Sequence, residues 1–156
     1  MSRIIHRDVM EFEASPEQVR GFITNPERIS DYYPGLIDYG TFTPGKAIWC
    51  SGKSGVSLLE VLEQDSSGSR ITLEVITSNS VRPPYSAAAI QASAFLRMVE
   101  DWELEECAVG TRLTKTWRDL VKYRMKWLPM GFIIRRTAAA EHDKIIKAWN
   151  RAARSA

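Results

Sequence analysis

Apolar and polar residues alternate along three segments of the chain, and this alternation predicts β-strands. Residues 4–13 alternate weakly and residues 96–104 strictly, while residues 113–127 have apolar side chains at the odd positions except at Lys115 and Asp119. Successive side chains of a strand point to opposite faces, so a period of two residues is typical of a strand with one buried face. The third segment exceeds the usual strand length, and we expect a bulge or bend near Asp119.

Turn residues divide the middle of the chain into short runs. Pro44-Gly45, residues 52–55 and residues 65–68 are rich in Gly, Pro, Ser and Asp, which are the residues that favour tight turns. The runs between them predict successive antiparallel hairpins. Residues 81–94 interrupt this order with Pro83-Pro84 and an alanine-rich stretch, and they indicate either a long loop or a short helix.

Capping sequences and a different periodicity predict helices at both ends of the chain. Ser15-Pro16-Glu17-Gln18 is a capping box with proline at the first helical position. Asn25-Pro26 repeats the signal, and the second short helix is expected to end before Pro34-Gly35. Residues 132–153 have apolar residues at three- and four-residue spacing, which predicts a long helix with one buried face. That buried stripe comprises Ile134, Ala138, His142, Ile145, Trp149 and Ala152.

Length and composition restrict the class of protein. The 156 residues, of which 44% are hydrophobic and 26% charged, are typical of a single folded domain spanning residues 1–156. The longest apolar stretch, residues 128–134, is too short to span a membrane, and the first residues lack the apolar segment of a signal peptide. We therefore expect a cytoplasmic protein. Cys50 and Cys107 lack metal-site or redox spacing, and no phosphate-loop, dinucleotide or zinc motif occurs, so no cofactor or metal is expected.

Charge is distributed unevenly along the chain. Residues 1–111 contain nine Lys and Arg against 16 Asp and Glu, whereas residues 112–156 contain twelve against three. A basic C-terminal third suits nucleic acid, anionic lipid or a charged ligand, although charge runs usually form a solvated face. The alternating basic and aromatic residues 122–127 are similar to a nucleic-acid or membrane-surface patch. Since one face of that run is expected in the core, nucleic acid is disfavoured as a partner, and transient contact with a membrane surface remains as an alternative.

The order of elements resembles the helix-grip architecture of the START-related (SRPBCC) superfamily. The resemblance rests on residues 12–19, residues 25–29, residues 110–114 after an acidic strand with a central Trp102, and the helix from Phe132. It implies an α+β fold in which a curved seven-stranded antiparallel sheet wraps around a long C-terminal helix, with two short helices after the first strand. The superfamily includes lipid carriers, polyketide cyclases and aromatases, plant ligand receptors, ubiquinone-binding proteins and ring-hydroxylase subunits, so the fold alone does not define the function.

The resemblance also restricts which metal sites and ligands are expected. Two histidines and two separated cysteines cannot supply the iron and iron–sulfur ligands of the hydroxylase branch, which is therefore excluded. A sheet curved around a helix implies a cavity, which small residues such as Ala138 and Ala139 would keep open. The leading hypothesis is binding, and with it transport, of a hydrophobic small molecule, either a lipid or an aromatic compound.

Two other classes of function stay open. One is an enzyme without cofactor that resembles the polyketide cyclase/dehydrase branch, a lyase of the cyclase or dehydratase type that moves protons in the cavity. The other is a partner-binding domain that uses its basic face. The sequence is compatible with a monomer or a homodimer.

Three charged residues occupy positions where the alternation predicts apolar side chains: Glu100, Lys115 and Asp119. A hairpin that pairs Leu104 with Leu113 would bring all three into one inward patch. They could serve as an acid, a base or a polar anchor in an apolar cavity, where burial shifts carboxyl pKa values. The alternative is a structural ion pair between Glu100 and Lys115.

His142 lies on the apolar stripe of the last helix, so it could act as a general acid or base or be a hydrogen-bonded core residue. The candidate catalytic residues are thus Glu100, Lys115 and His142. The candidate ligand-binding residues are the side chains expected to face inward: Trp102, Trp117, Asp119, Tyr123, Ala138, Ile145 and Trp149.

Overall fold

Seven antiparallel strands form the sheet of this protein. The computed structural model describes residues 2–155, and the side chains of residues 2–153. Along the sheet the strands follow the order β1-β7-β6-β5-β4-β3-β2, so the first strand lies beside the last. The strands are β1 (Ile4–Phe12), β2 (Leu36–Thr43), β3 (Ala47–Gly52), β4 (Gly55–Gln64), β5 (Arg70–Ser78), β6 (Leu96–Cys107) and β7 (Gly110–Lys122).

Helices follow β1 and β7, as the sequence predicts, and a further helix lies between β5 and β6. They are α1 (Pro16–Ile23), α2 (Ile29–Tyr32), α3 (Ala87–Ala92) and α4 (Met130–Ser155), with a 3₁₀ turn at Pro26–Arg28 before α2. The sheet curves around α4, which confirms the predicted α+β helix-grip fold. Within residues 2–155, no helix combines the length and the apolar composition that crossing a membrane requires.

The capping residues predicted from the sequence form the expected hydrogen bonds at the starts of α1 and of the 3₁₀ turn. The Ser15 hydroxyl accepts a hydrogen bond from the Gln18 amide, and the Gln18 side chain accepts one from the Ser15 amide, which completes the capping box. Asn25 caps the following turn by accepting from the amide of Glu27. Residues 81–94 contain α3, so the short helix was the correct alternative there.

Cross-strand register determines which side chains face α4. Leu104 pairs with Leu113, as predicted, and this brings Glu100 opposite Trp117 and Trp102 opposite Lys115. Directly paired residues share a face of the sheet. The same concave face has an apolar part formed by Leu59, Val61, Ile71, Leu73 and Val75.

The alternation overestimates the length of β7. The strand ends at Lys122, and Asp119 and Met125 have left-handed backbone conformations, with φ of 57° and 52°. Asp119 adds one residue to β7 between the pairs Val99–Arg118 and Arg97–Val121, so the later odd-numbered side chains change face, although the Tyr123 amide still donates to the carbonyl of Phe95. Tyr123 and Trp127 are consequently 47% and 80% exposed instead of buried.

Apolar clusters close the two ends of the space between sheet and helix. At one end α1, β1 and the second half of α4 meet through Phe12, Phe22 and Ile145. At the other end Trp117 packs against Met130, Ile134 and Ala138 at the start of α4. The concave face between these clusters is left uncovered, and it forms the cavity.

Candidate ligand cavity

A cavity of about 1220 Å³ lies between the concave face of the sheet, α2 and the first half of α4. Its volume exceeds the roughly 300–1,000 Å³ typical of small-molecule sites. The wall formed by β4 and β5 is mainly apolar. The wall formed by α4 includes Ile134, Thr137, Ala138 and Glu141, whereas Ala139 is exposed to solvent and does not keep the cavity open, contrary to the prediction.

Three charged side chains meet in this apolar cavity. The Lys115 ammonium on β7 lies 3.0 Å from Glu100 Oε1 on β6 and also donates to the carboxylate of Glu141 on α4. The exposed fractions of the three side chains are 3%, 8% and 16%. We call this group the Lys115 triad. It connects the sheet to the helix and lines the cavity.

Two tryptophans hold the triad in position. The Trp102 indole donates a 2.8 Å hydrogen bond to Glu100 Oε1. The Lys115 ammonium lies 4.9 Å from the ring centroid of Trp102 and 5.1 Å from that of Trp117. Such contacts stabilise a cation most strongly where water is excluded. The lysine is thus fixed by two carboxylates and two aromatic rings.

Burial and mutual charge determine how the triad titrates. Burial lowers the pKa of Lys115, but the nearby charges of Glu100 and Glu141 outweigh that effect, so the pKa is raised and the ammonium stays protonated. Burial, together with the negative charge of Glu100, raises the pKa of Glu141 more than the attraction of Lys115 lowers it. Glu141 therefore holds a proton at higher pH than an ordinary glutamate does.

Neutral hydroxyl groups add hydrogen-bonding capacity to the wall beside α2. Burial raises the pKa of Tyr33 to about 12, so its phenol remains protonated. The Tyr32 hydroxyl donates to the carbonyl of Ile23 at 3.0 Å. Both tyrosines line the cavity, as does Ser57. These residues can orient a polar group of a ligand without adding charge.

Five of the residues selected from the sequence line this cavity: Glu100, Trp102, Lys115, Trp117 and Ala138. Their positions agree with the predicted inward patch, and their functional roles stay predictions. In the part of the chain that the structure describes, no cluster of three His, Cys, Asp or Glu side chains is suited to a metal ion.

His142 does not face the cavity. Its Nδ1 lies 2.8 Å from Asp8 Oδ2 on β1, and its side chain is 33% exposed. Neighbouring residues of a helix differ by about 100° in direction, so the inward position belongs to Glu141 and its neighbour lies against β1. Of the two alternatives for His142, the hydrogen bond to Asp8 agrees with the structural one, and a general acid or base that faces the cavity does not fit this position.

Four candidate ligand-binding residues also lie elsewhere. Ile145 and Trp149 belong to the cluster packed on β1 and α1, where Trp149 contacts Phe12 edge-on with the ring centroids 5.2 Å apart. Asp119 accepts from Arg118 at 2.7 Å and from the Arg3 amide at 2.8 Å, outside the cavity, because its left-handed backbone breaks the alternation. Tyr123 follows the end of β7 and is exposed.

Sequence reasoning missed Glu141, although a signal exists. Ile134, Ala138, Ile145 and Ala148 are all buried, and Glu141 falls between them at the same three- and four-residue spacing. An acid inside an apolar stripe is as informative as Glu100 or Lys115 in an apolar strand face. The stripe predicted from the sequence has His142 in place of Glu141. At this turn, the predicted buried face of α4 is therefore rotated by one residue relative to the observed one.

Comparison with solved structures identifies the same architecture in other proteins, with low sequence identity. An uncharacterised protein from Rhizobium leguminosarum superposes with a TM-score of 0.71 and 12% identity, covering 97% of this chain and 96% of that one. The Zhui aromatase/cyclase from Streptomyces sp. R1128 superposes with a TM-score of 0.70 and 11% identity, with the same coverage of 97% and 96%. A Staphylococcus aureus protein of unknown function gives 0.65 at 11% identity, covering 99% and 97%.

No protein-family model matches the sequence, and the comparison with curated proteins gives no match. Identities this low support similarity of fold alone. The matches nevertheless extend over almost the whole of each chain, including the sheet and α4. This chain therefore shares the helix-grip fold of these proteins.

Proposed function

We propose that this protein binds a hydrophobic small molecule in the cavity and holds a polar group of that molecule at the Lys115 triad. The observation that carries the proposal is the triad itself, which is buried within an otherwise apolar wall and borders the open space. The proposal concerns a lipid or an aromatic compound, since both are mainly apolar and have one or a few polar groups.

The energetics of buried charge support a role beyond folding. Replacing a buried ion pair by apolar residues of similar size is often neutral or stabilising. Three charged side chains are therefore a poor way to stabilise the contact between a sheet and a helix. They are well suited to a ligand, because a few convergent polar groups in an apolar pocket fix the orientation of what binds there.

The charge state of the triad restricts the polar group of the ligand. With a proton on Glu141, the ammonium balances the single charge of Glu100, and the protonated carboxyl group has one hydrogen to donate. A carbonyl or hydroxyl oxygen is the matching acceptor. A carboxylate ligand fits poorly, because it would add a negative charge beside Glu100 and Glu141.

The position of Glu141 favours a second candidate function, an enzyme of the cyclase or dehydratase type without cofactor. A buried carboxyl group with a raised pKa, in a cavity, is suited to general acid catalysis. In a dehydration, protonated Glu141 would donate its proton to the departing hydroxyl, which leaves as water. The resulting carboxylate would then accept the proton from the adjacent carbon, so that Glu141 returns to its first state. The similarity of fold to an aromatase/cyclase agrees with this candidate.

Native mass spectrometry of protein purified without added ligand, together with titration by an environment-sensitive dye, tests the binding proposal. We expect the dye to bind with a Kd in the micromolar range, about −8 kcal/mol, and to be displaced by long-chain alcohols or by flat aromatic alcohols and ketones. Failure of every such probe to bind the folded protein would contradict the proposal.

Turnover distinguishes the two candidates once a substrate is found. Glu141→Gln keeps the shape of the side chain but cannot exchange a proton, so an enzyme should lose about 100- to 10,000-fold in kcat. A binding protein should instead change its ligand Kd by only a few-fold. Glu100→Gln serves as the matched control, since it alters the same triad without removing the proposed acid.

A further inference from the structure

Exposed apolar and basic side chains surround the point where the chain enters α4. Trp127 is 80% exposed, Phe132 57% and Ile133 37%. Exposed aromatic and aliphatic residues grouped in this way mark interaction surfaces more often than isolated ones do. We define the α4 entry patch as these three residues together with the exposed basic residues Arg124, Lys126, Arg135 and Arg136.

The patch is built on a fixed scaffold. The Lys122 ammonium donates to the carbonyls of Lys126 at 2.8 Å and Leu128 at 3.1 Å, which fastens the loop to the end of β7. On α4 the Arg136 guanidinium lies 5.8 Å from the centroid of the Phe132 ring, as four-residue spacing along a helix allows. The apolar and basic groups are thus held side by side.

Acidic residues are absent from the segments that form and support the patch. No Asp or Glu occurs between Asp119 and Glu141 in the sequence. The carbonyl of Phe95 accepts a hydrogen bond from the Tyr123 amide, so the chain around Phe95 supports the patch. This segment also lacks acidic residues, since no Asp or Glu occurs between Glu74 and Glu100. The acids at the two ends of the first stretch are already paired: Asp119 with Arg118, and Glu141 with Lys115 in the buried triad. The patch therefore has a positive local charge, although the net charge of the chain is only +2.

The patch adjoins the cavity. Ile133 is exposed and also lines the cavity, as do its neighbours Met130 and Ile134. An apolar surface that docked on the patch would lie against the same turn of α4 that forms the cavity wall.

We propose that the α4 entry patch docks this protein on the surface of an anionic lipid membrane. Tryptophan and other aromatic side chains favour the boundary between headgroups and acyl chains, and neighbouring Lys and Arg interact with anionic lipids. Both kinds of residue are present within one loop and the first two turns of one helix. Single-stranded nucleic acid fits less well, because it requires a series of aromatic stacking platforms along a basic groove. The docking inference does not depend on what the cavity binds.

Sedimentation with vesicles tests the charge component. The wild-type protein should bind vesicles of phosphatidylcholine and phosphatidylserine, bind pure phosphatidylcholine much more weakly, and dissociate as salt is raised. The double variant Lys126→Gln/Arg135→Gln should bind the anionic vesicles about 25-fold more weakly, at about fivefold for each basic residue near the surface.

The matched control is Lys144→Gln/Lys147→Gln, which removes the same charge from exposed positions further along α4. It should bind almost as the wild type does. Equal weakening in both double variants would overturn the proposal, because it would mean that overall charge alone governs adsorption. No binding of the wild-type protein to anionic vesicles, or tighter binding to a single-stranded oligonucleotide, would also overturn it.

Fluorescence tests the apolar component. Vesicles that contain brominated phosphatidylcholine should quench part of the tryptophan emission of the bound wild-type protein, and Trp127→Phe should remove that quenching while binding persists. Trp127 is 80% exposed, so the variant should fold normally. If the quenching is unchanged in Trp127→Phe, then Trp127 does not enter the membrane and the proposed orientation is wrong.

Discussion

The Lys115 ammonium on β7 donates a hydrogen bond to the Glu141 carboxylate on α4, 26 residues later in the chain. This bond joins the sheet to the helix inside the cavity, and it leaves two carboxylates around one cation. The excess negative charge has to be balanced by a proton or by a group of a ligand. A second charged network, in which Asp101 accepts from Arg118 and Thr72, lies on the opposite face of the sheet.

Lys115→Met should strongly destabilise the protein, because it leaves Glu100 and Glu141 buried together without a cation. Removing one partner of a buried ion pair typically costs about 3–5 kcal/mol. Urea unfolding monitored by circular dichroism measures the free energy of unfolding. Lys144→Met, which removes an exposed lysine of α4, should change it little.

Neutralising the remaining acids should reverse much of that loss. The triple variant Lys115→Met/Glu100→Gln/Glu141→Gln has no buried charge in the triad, and we expect it to be more stable than Lys115→Met alone. If the triple variant is less stable than the single one, the carboxylates do not act through their charge and the interpretation of the triad as a coupled group is wrong.

Glu141→Gln should change how stability depends on pH. The pKa of Glu141 is raised in the folded protein, so its contribution to stability is fully present below the pKa of the unfolded chain and is lost as pH rises through the folded value. The variant lacks this titration and should gain stability relative to the wild type from acidic to neutral pH. Unfolding curves over that range measure the difference. Asp143→Asn, exposed on the same helix, should follow the wild-type trend, and an equal trend in Glu141→Gln would contradict the prediction.

Ala138→Trp should abolish dye binding, because Ala138 lines the cavity and is only 2% exposed. Overpacking should cost about 1–3 kcal/mol, which is small enough for the fold to survive. Dye titration measures the Kd, and thermal unfolding reports the stability. Ala139→Trp adds the same side chain on the exposed side of the helix and should bind the dye normally. If Ala138→Trp also binds normally, the dye occupies another site.

Asp101→Asn should make the protein less sensitive to acid. Burial raises the pKa of Asp101, but hydrogen bonds from Arg118 at 2.6 Å and Thr72 at 2.8 Å outweigh it, so the pKa lies below its usual value of 3.8. The stabilisation is present above that value and is lost as pH falls through the folded pKa. The variant should be less stable at neutral pH, with a smaller further loss in acid. Acid titration followed by circular dichroism tests this, with the exposed Glu103→Gln as control.

The hairpin of β6 and β7 could be predicted from sequence because its register is a local property. The short turn after Cys107 fixes Leu104 opposite Leu113, and the pairs from there to Val99 and Arg118 follow from it. The same reasoning correctly gave Glu100 and Lys115 a common face. It failed beyond Asp119, because the left-handed residue there forms a bulge, which moves the later side chains to the other face without disturbing the alternation of residue types.

The orientation of α4 was less predictable because it is set by tertiary packing. The stripe of apolar residues is broad, and a rotation of one residue exchanges His142 for Glu141 at the cavity. Asp8 on β1 pairs with His142, and Lys115 on β7 pairs with Glu141, so contacts from the sheet fix this rotation. Periodicity within α4 carries no information about Asp8, which lies 134 residues away.

The neighbouring position of β1 and β7 has a consequence for the order in which the protein assembles. In the described sheet, β1 forms an edge and pairs with β7. Beyond a bulge in β1, the backbones of Arg3 and Asp119 are still joined by a hydrogen bond, although these residues are 116 positions apart in the sequence. During synthesis the first strand therefore emerges long before its partner. Contacts so distant in sequence are expected to slow folding. A ribosome-bound chain that ends before Gly110 should leave β1 susceptible to proteolysis, and release of β7 should protect it.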